Sequence, residues 1–297
     1  MIDQRLFLKL LGPTKPRCKL RPTTIEKIDC GLYIQEKVEY YVEDQEKISA
    51  YVLVPKYKSG KKPAIFCHHQ HASNYDTAKS EMVGIKGNAD LAYAKELAEL
   101  GYVTLAPDAI AFEERNWHTE CWWGVEYFEL ATRIVQGQTL IYKVLRDISV
   151  GIDYLVSREE VDDSNIGFLG HSYGARMAIW APPFDKRIKV TVANGYCLNL
   201  QSGLDKNSGT RIPMELCIPG ILEHGDVQDI VKLVPPCALY LSVGKDDKWS
   251  KDAEKIYEYA KNTFEKDQIK LKIWPGGHAF SEEMRIEAYS FFENKFN

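Results

Sequence analysis

The stretch from Ile166 to Trp180 constrains this chain more than any other. Ile166-Gly167-Phe168-Leu169 is a short apolar run of strand type, and residues 175–180 continue as a helix-forming run. Between them lies Gly170-His171-Ser172-Tyr173-Gly174. A strand can pass into a helix over so few residues only through a sharp, strained turn. The positions two before and two after its apex must then be nearly free of side chain, and glycine stands at both. The apex residue is a serine, held at the carboxyl end of a strand with a helix N-terminus behind it. Negative charge is stabilised at such a place.

The rest of the chain alternates in the same manner. Residues 38–42 and 48–54 read as strands of an antiparallel hairpin around the polar turn 43–47. Strands are then expected at 63–69, 102–106, 165–169, 188–193, 238–243 and 270–274. Helices are expected at 90–100, closed by Gly101, and at 138–156, 252–264 and 281–296, the last capped by Ser281. This order predicts an α/β fold: a mostly parallel sheet, opened by an antiparallel hairpin, with helices on both faces. Ligands in such sheets sit beyond the carboxyl ends of the strands. Residues 1–34, with Pro13, Pro16, Pro22 and one short helix expected at Gln4–Leu11, read as an N-terminal arm packed on the core. A lid or a homodimer contact is the alternative role for this arm. Residues 35–297 then form one domain, with a cap-like insertion at about 109–135.

A serine hydroxyl needs a base to take its proton, and histidine is the usual one. Of the seven histidines, only His224 and His278 follow Ser172. His278 lies in a glycine-bearing loop between the last strand and the last helix, whereas His224 reads as a surface residue. The acid that orients the base is expected after the preceding strand, where Gly244-Lys245-Asp246-Asp247 favours Asp247, with Asp246 as the alternative. Either aspartate could instead cap the following helix. The anion formed on the substrate carbonyl needs N–H donors: the backbone of Tyr173, and that of Gln70 or His71 in the loop after the 63–69 strand.

That loop holds His68, His69 and His71, and two of these could share a face as zinc ligands do. No cysteine or carboxylate completes a set at the usual spacing, so neither metal nor cofactor is expected. The insertion carries Arg115, Trp117, Trp122 and Trp123, read as substrate-binding candidates at a strand's carboxyl end. Packing of the loop onto the sheet is the competing account of the same tryptophans. Residues 196–223 form a second candidate wall, with Arg211 read as solvated.

A net charge of −4 and a pI near 6.0 advertise no basic face, so nucleic acid and anionic membrane are not expected partners. No apolar run is long enough to span a bilayer, and residues 1–12 lack the pattern of a signal peptide. The seven cysteines are scattered, odd in number and without a C-x-x-C pair, which points to free thiols and a cytoplasmic location.

Over residues 36–297 the sequence resembles the dienelactone-hydrolase-like branch of the α/β hydrolases, especially its acetyl-xylan-esterase-like members. The resemblance rests on His69-Gln70, Leu105-Ala106-Pro107-Asp108, residues 170–176, Pro219-Gly220-Ile221, residues 244–247 and Gly277-His278-Ala279-Phe280. The namesake enzymes use a cysteine nucleophile where this chain has Ser172, so the likeness implies a carboxylic-ester hydrolase acting on a small molecule. Acyl transfer or amide cleavage with the same residues is the alternative chemistry. A non-catalytic binding protein on the same scaffold is the reading from a different class.

Overall fold

The structure, a computed structural model, describes residues 2–57, 59–117 and 124–296. Among the described residues, nine strands form one sheet in the order β1-β2-β3-β5-β4-β6-β7-β8-β9. These are β1 (Thr23–Asp29), β2 (Tyr33–Glu43), β3 (Glu46–Pro55), β4 (Lys62–His68), β5 (Val103–Pro107), β6 (Val161–His171), β7 (Ile188–Asn194), β8 (Ala238–Gly244) and β9 (Ile269–Trp274). The first three pair antiparallel and β3 meets β5 antiparallel, while β5, β4, β6, β7, β8 and β9 run parallel. Central strands such as β5 and β8 are buried along their whole length, which is why they read as continuous apolar runs instead of alternating ones.

One face is covered by the helices Leu140–Val156, Tyr173–Phe184 and Ala253–Ala260. The other is covered by Tyr93–Glu99 and Glu282–Phe296. Among the described residues, no helix is long and apolar enough to cross a membrane.

The N-terminal segment is more than an arm. Its helix, Gln4–Leu11, is capped by the Asp3 side chain, which accepts the Leu6 N–H at 2.7 Å, and it buries Phe7 and Leu11 in the main core. Residues 23–29, expected to lie outside the sheet, are its first edge strand. All seven of these residues are exposed, so β1 has no apolar alternation by which a sequence could announce it. It is held by its ladder to β2, with an irregularity between Thr24 and Glu26. Within the insertion, the helix Gly124–Val135 docks by its first turn. Val125 and Glu126 are buried, while Tyr127, Phe128, Ile134 and Val135 face outward.

Candidate active site

The glycines of the turn after β6 are dictated by contact. A Cβ on Gly170 would overlap the carbonyl of Gly174, and one on Gly174 would overlap the carbonyl of His68 at the end of β4. Ser172 between them sits at φ 58°, in left-handed space that a serine rarely occupies. Its N–H donates to the Asn194 carbonyl at 2.8 Å, and the helix Tyr173–Phe184 begins at the next residue. The backbone N–H of Tyr173 therefore lies in the first turn of a helix, where it has no intrahelical acceptor.

Three side chains from three loops meet above this turn. The Ser172 hydroxyl lies 2.9 Å from His278 Nε2, and His278 Nδ1 donates to Asp247 Oδ2 at 2.9 Å. The acid and base loops are joined directly. Lys245 and Asp246 donate their N–H groups to the carbonyls of Trp274 and Gly276 at 2.8 and 2.9 Å, and a Cβ on Gly244 would overlap the Gly277 carbonyl. Asp247 is also the cap of the short turn Lys248–Ser250, accepting the Trp249 N–H and the Ser250 hydroxyl. Capping and orienting the imidazole are thus carried by one carboxylate. Burial works against its ionised form, but His278 and these donors outweigh it and hold the carboxyl below its ordinary range. Asp246 is exposed and has no such contact with His278, and His224 is exposed after the turn Ile221–Glu223.

Behind His278 lies a buried polar chain that sequence reasoning missed. The His171 ring packs on His278 with centroids 4.9 Å apart, and its Nδ1 donates to Asn194 Oδ1 at 2.6 Å. Asn194 in turn donates to Ser242 Oγ, which also accepts the Trp274 indole N–H. Burial pulls the His171 imidazole down to about 4, with the neighbouring His278 adding to the effect, so the ring behind the base is neutral.

The loop after β4 is fixed from three sides. Ala109 donates its N–H to His69 Nε2 at 3.1 Å, so the ring proton is on Nδ1, which donates to the Gln70 carbonyl at 2.7 Å. The Gln70 amide donates to Glu81. His71 accepts the Ser73 N–H on Nδ1 and donates from Nε2 to Glu126 at 3.0 Å.

Residues 78–215 match the dienelactone hydrolase family. A Bacillus subtilis (strain 168) protein named "Putative hydrolase YtaP" is 29% identical over 259 residues, which is 82% of this chain and 80% of that protein. Among solved structures, a glucuronoyl esterase from Solibacter usitatus superposes with a TM-score of 0.74 at 16% identity, covering 99% of this chain and 92% of the other. An acetyl xylan esterase from a Paenibacillus species gives 0.68 at 15% identity, covering 98% and 94%. The chain has the α/β-hydrolase fold.

The cleft over Ser172 and His278 has a volume of about 270 Å³. Gln70 and His71 line it, as expected for the loop that faces the serine. Its far wall is polar: Arg211 and Glu215 come from the 196–223 segment expected to form a second wall, while Tyr75, Glu126 and Arg176 were not anticipated, with Trp249 beside them. Arg176 lies one helical turn after Ser172, ion-paired with buried Glu215 and set over the Tyr173 ring at 4.9 Å. The i+4 spacing from the serine is the one sequence signal that could have found it. Arg211, expected to be solvated, lines the cleft and makes no ion pair among the described residues.

The insertion candidates fall elsewhere. Arg115 is buried away from the cleft, donating to the Asp108 carbonyl and to Asp147 at 2.7 Å and pairing with Glu46, so its charge holds the insertion to the core. Trp117 is more than half exposed, packs edge-on against Phe128 at 5.2 Å and does not line the cleft. Trp122 and Trp123 lie outside the described residues.

Burial pulls His68 well below its ordinary value and His69 to about 4, so both are neutral rings inside the protein. The grouping among the described residues with the spacing of metal ligands is Asp108, Glu113 and Glu114. The buried Lys79 ammonium is bonded to all three and supplies the positive charge there.

Proposed function

We propose that this protein cleaves carboxylic esters of small molecules through an acyl-enzyme on Ser172. The observation that carries the reading is the pair of 2.9 Å contacts that link Ser172 to His278 and His278 to Asp247. With its Nδ1–H hydrogen-bonded to Asp247, His278 offers a bare Nε2 lone pair to the serine hydroxyl. Ser172 Oγ attacks the ester carbonyl while its proton passes to Nε2, and Asp247 stabilises the imidazolium. The Tyr173 N–H, with one from the Gln70–His71 segment, takes up the oxyanion. Collapse expels the alcohol, protonated by His278. Water, deprotonated by the same nitrogen, then releases the acid.

The cleft narrows the substrate. Charged and hydrogen-bonding groups stand on its far wall, and at about 270 Å³ the cleft is small. A short acyl group on a hydrophilic alcohol fits that lining. The acetyl xylan esterase of similar fold acts, by its name, on an ester of that kind, and the glucuronoyl esterase on one whose acyl part is a sugar acid. A cytoplasmic location agrees with the six described cysteines, all of them free thiols.

Hydrolysis of an ester panel graded by acyl length, on wild type and Ser172→Ala, tests the reading. Turnover should fall steeply beyond a few acyl carbons and vanish in the variant. A variant with wild-type turnover would overturn the assignment.

A further inference from the structure

The second oxyanion donor can be assigned, and with it a residue of the insertion that acts on the chemistry from behind. In a trans peptide the N–H points opposite to the preceding carbonyl. The Gln70–His71 peptide is trans, since the cis bond among the described residues is Pro235–Pro236. Its carbonyl is turned to the Nδ1 proton of His69, a ring that is 1% exposed and sits against Phe112 in the protein interior. The His71 N–H is therefore turned the other way, toward the cleft that His71 lines.

What keeps this peptide in place on its outer side is Glu126. The residue is 4% exposed although it belongs to a helix whose next two residues face solvent. A carboxylate is buried only where donors meet it. Here one oxygen, Oε2, accepts both the His71 Nε2 proton and the Tyr75 hydroxyl, each at 3.0 Å. His71 and Tyr75 bracket the loop, and their rings pack on each other at 5.2 Å. One carboxylate thus ties the insertion helix to both ends of the segment that faces Ser172.

We propose that Glu126 is the positioning residue of the oxyanion loop, holding His71 and Tyr75 so that the His71 N–H, and not that of Gln70, meets the oxyanion. The proposal rests on Ser172 being the nucleophile.

The test compares wild type, Glu126→Ala, Glu126→Gln and Tyr75→Phe. Readouts are kcat and KM on a short-chain ester and inhibition by a small alkyl boronic acid, whose tetrahedral adduct on Ser172 places an oxygen in the oxyanion site. Glu126→Ala should lower kcat by about 30- to 100-fold, somewhat less than loss of a whole donor, with KM changed by less than about threefold. Boronate affinity should fall in proportion to kcat/KM. Glu126→Gln keeps an acceptor for both partners and should recover most of the activity. Tyr75→Phe, which removes one hydroxyl, should cost about three- to tenfold in both readouts.

Glu126→Ala with kcat and boronate affinity within about twofold of wild type overturns the proposal. If that variant does not fold, the same result in Tyr75→Phe does so. Each protein is first treated with a fluorophosphonate. A wild type that takes no label at Ser172 overturns the nucleophile, and the clamp with it. A labelled wild type beside an unaffected Glu126→Ala overturns the clamp alone.

Discussion

The two walls of the cleft are built by different logic. On the near wall, Ser172, His278 and Asp247 stand on loops whose backbones touch, and Gly170, Gly174 and Gly244 are each required by a carbonyl in the space a side chain would take. On the far wall, Arg176 and Glu215 are joined by an ion pair and Glu126 is held by hydrogen bonds from His71 and Tyr75, with Arg211 beside them. Backbone contact tolerates almost no change, whereas side-chain pairing tolerates exchange at a graded cost. We therefore assign the reaction to the near wall, supported from behind by Glu126, and substrate choice to the rest of the far wall.

The largest effects should come from the near wall. Ser172→Ala or His278→Ala should lower kcat by roughly a million-fold, and Asp247→Ala by roughly ten-thousand-fold, all with KM changed little. Steady-state kinetics checks this order. An Asp247→Ala variant as active as wild type would remove the acid from the account and reopen Asp246.

Gly174→Ala comes next. Its Cβ cannot enter without moving β4 from the turn, so fluorophosphonate labelling should fall by at least about a hundredfold and the melting temperature should drop. Normal labelling with an unchanged melting temperature would break the claim that contact dictates the glycine.

On the far wall, Glu215→Ala leaves the Arg176 guanidinium buried without its partner and should destabilise the protein by about 3 kcal/mol in urea unfolding. Arg211→Ala is its counterpart on the same wall. The residue is exposed and makes no ion pair among the described residues, so stability should stay within about 0.5 kcal/mol. Its effect should be confined to KM, by a few-fold, and should differ between anionic and neutral esters. Equal stability losses in the two variants would erase the distinction drawn within that wall.

The smallest effect concerns pH. The folded-state value of His171 lies near 4 against about 6.5 unfolded, so the stability tied to its neutral form is complete above about pH 6.5 and is lost as the pH falls through about 4. His171→Phe keeps a ring behind His278 but loses the proton donated to Asn194. It should be less stable than wild type at pH 8, and the gap should narrow steadily toward pH 4. A gap independent of pH would show that His171 does not titrate with folding.

The same contrast explains what could be read in the sequence. The turn around Ser172, Asp247 after Gly244 and His278 after Gly277 are local patterns, the first two at the carboxyl ends of buried apolar runs and the third after the half-exposed edge strand β9. Their order along the chain is the order the fold needs. Glu126 looks in sequence like any charged residue of an amphipathic helix, and Glu215 stands between Met214 and Leu216 without a motif. Only the packing of segments far apart in the chain makes them neighbours. Arg115 misled for a related reason. A lone arginine in a polar loop suggests a ligand, but its partners Glu46 and Asp147 come from elsewhere in the chain and bury it. The β1 strand was silent because it pairs without burying anything.

The central claim is that Ser172 is activated by His278 and Asp247 as a nucleophile. Labelling with a fluorophosphonate, followed by peptide mass spectrometry, addresses it most directly. Wild type should carry one phosphonyl group, on the peptide containing Ser172, and His278→Ala should label at least about a thousandfold more slowly. A wild type that takes no label, or labels at another serine, or a His278→Ala variant that labels as fast as wild type, would contradict the account.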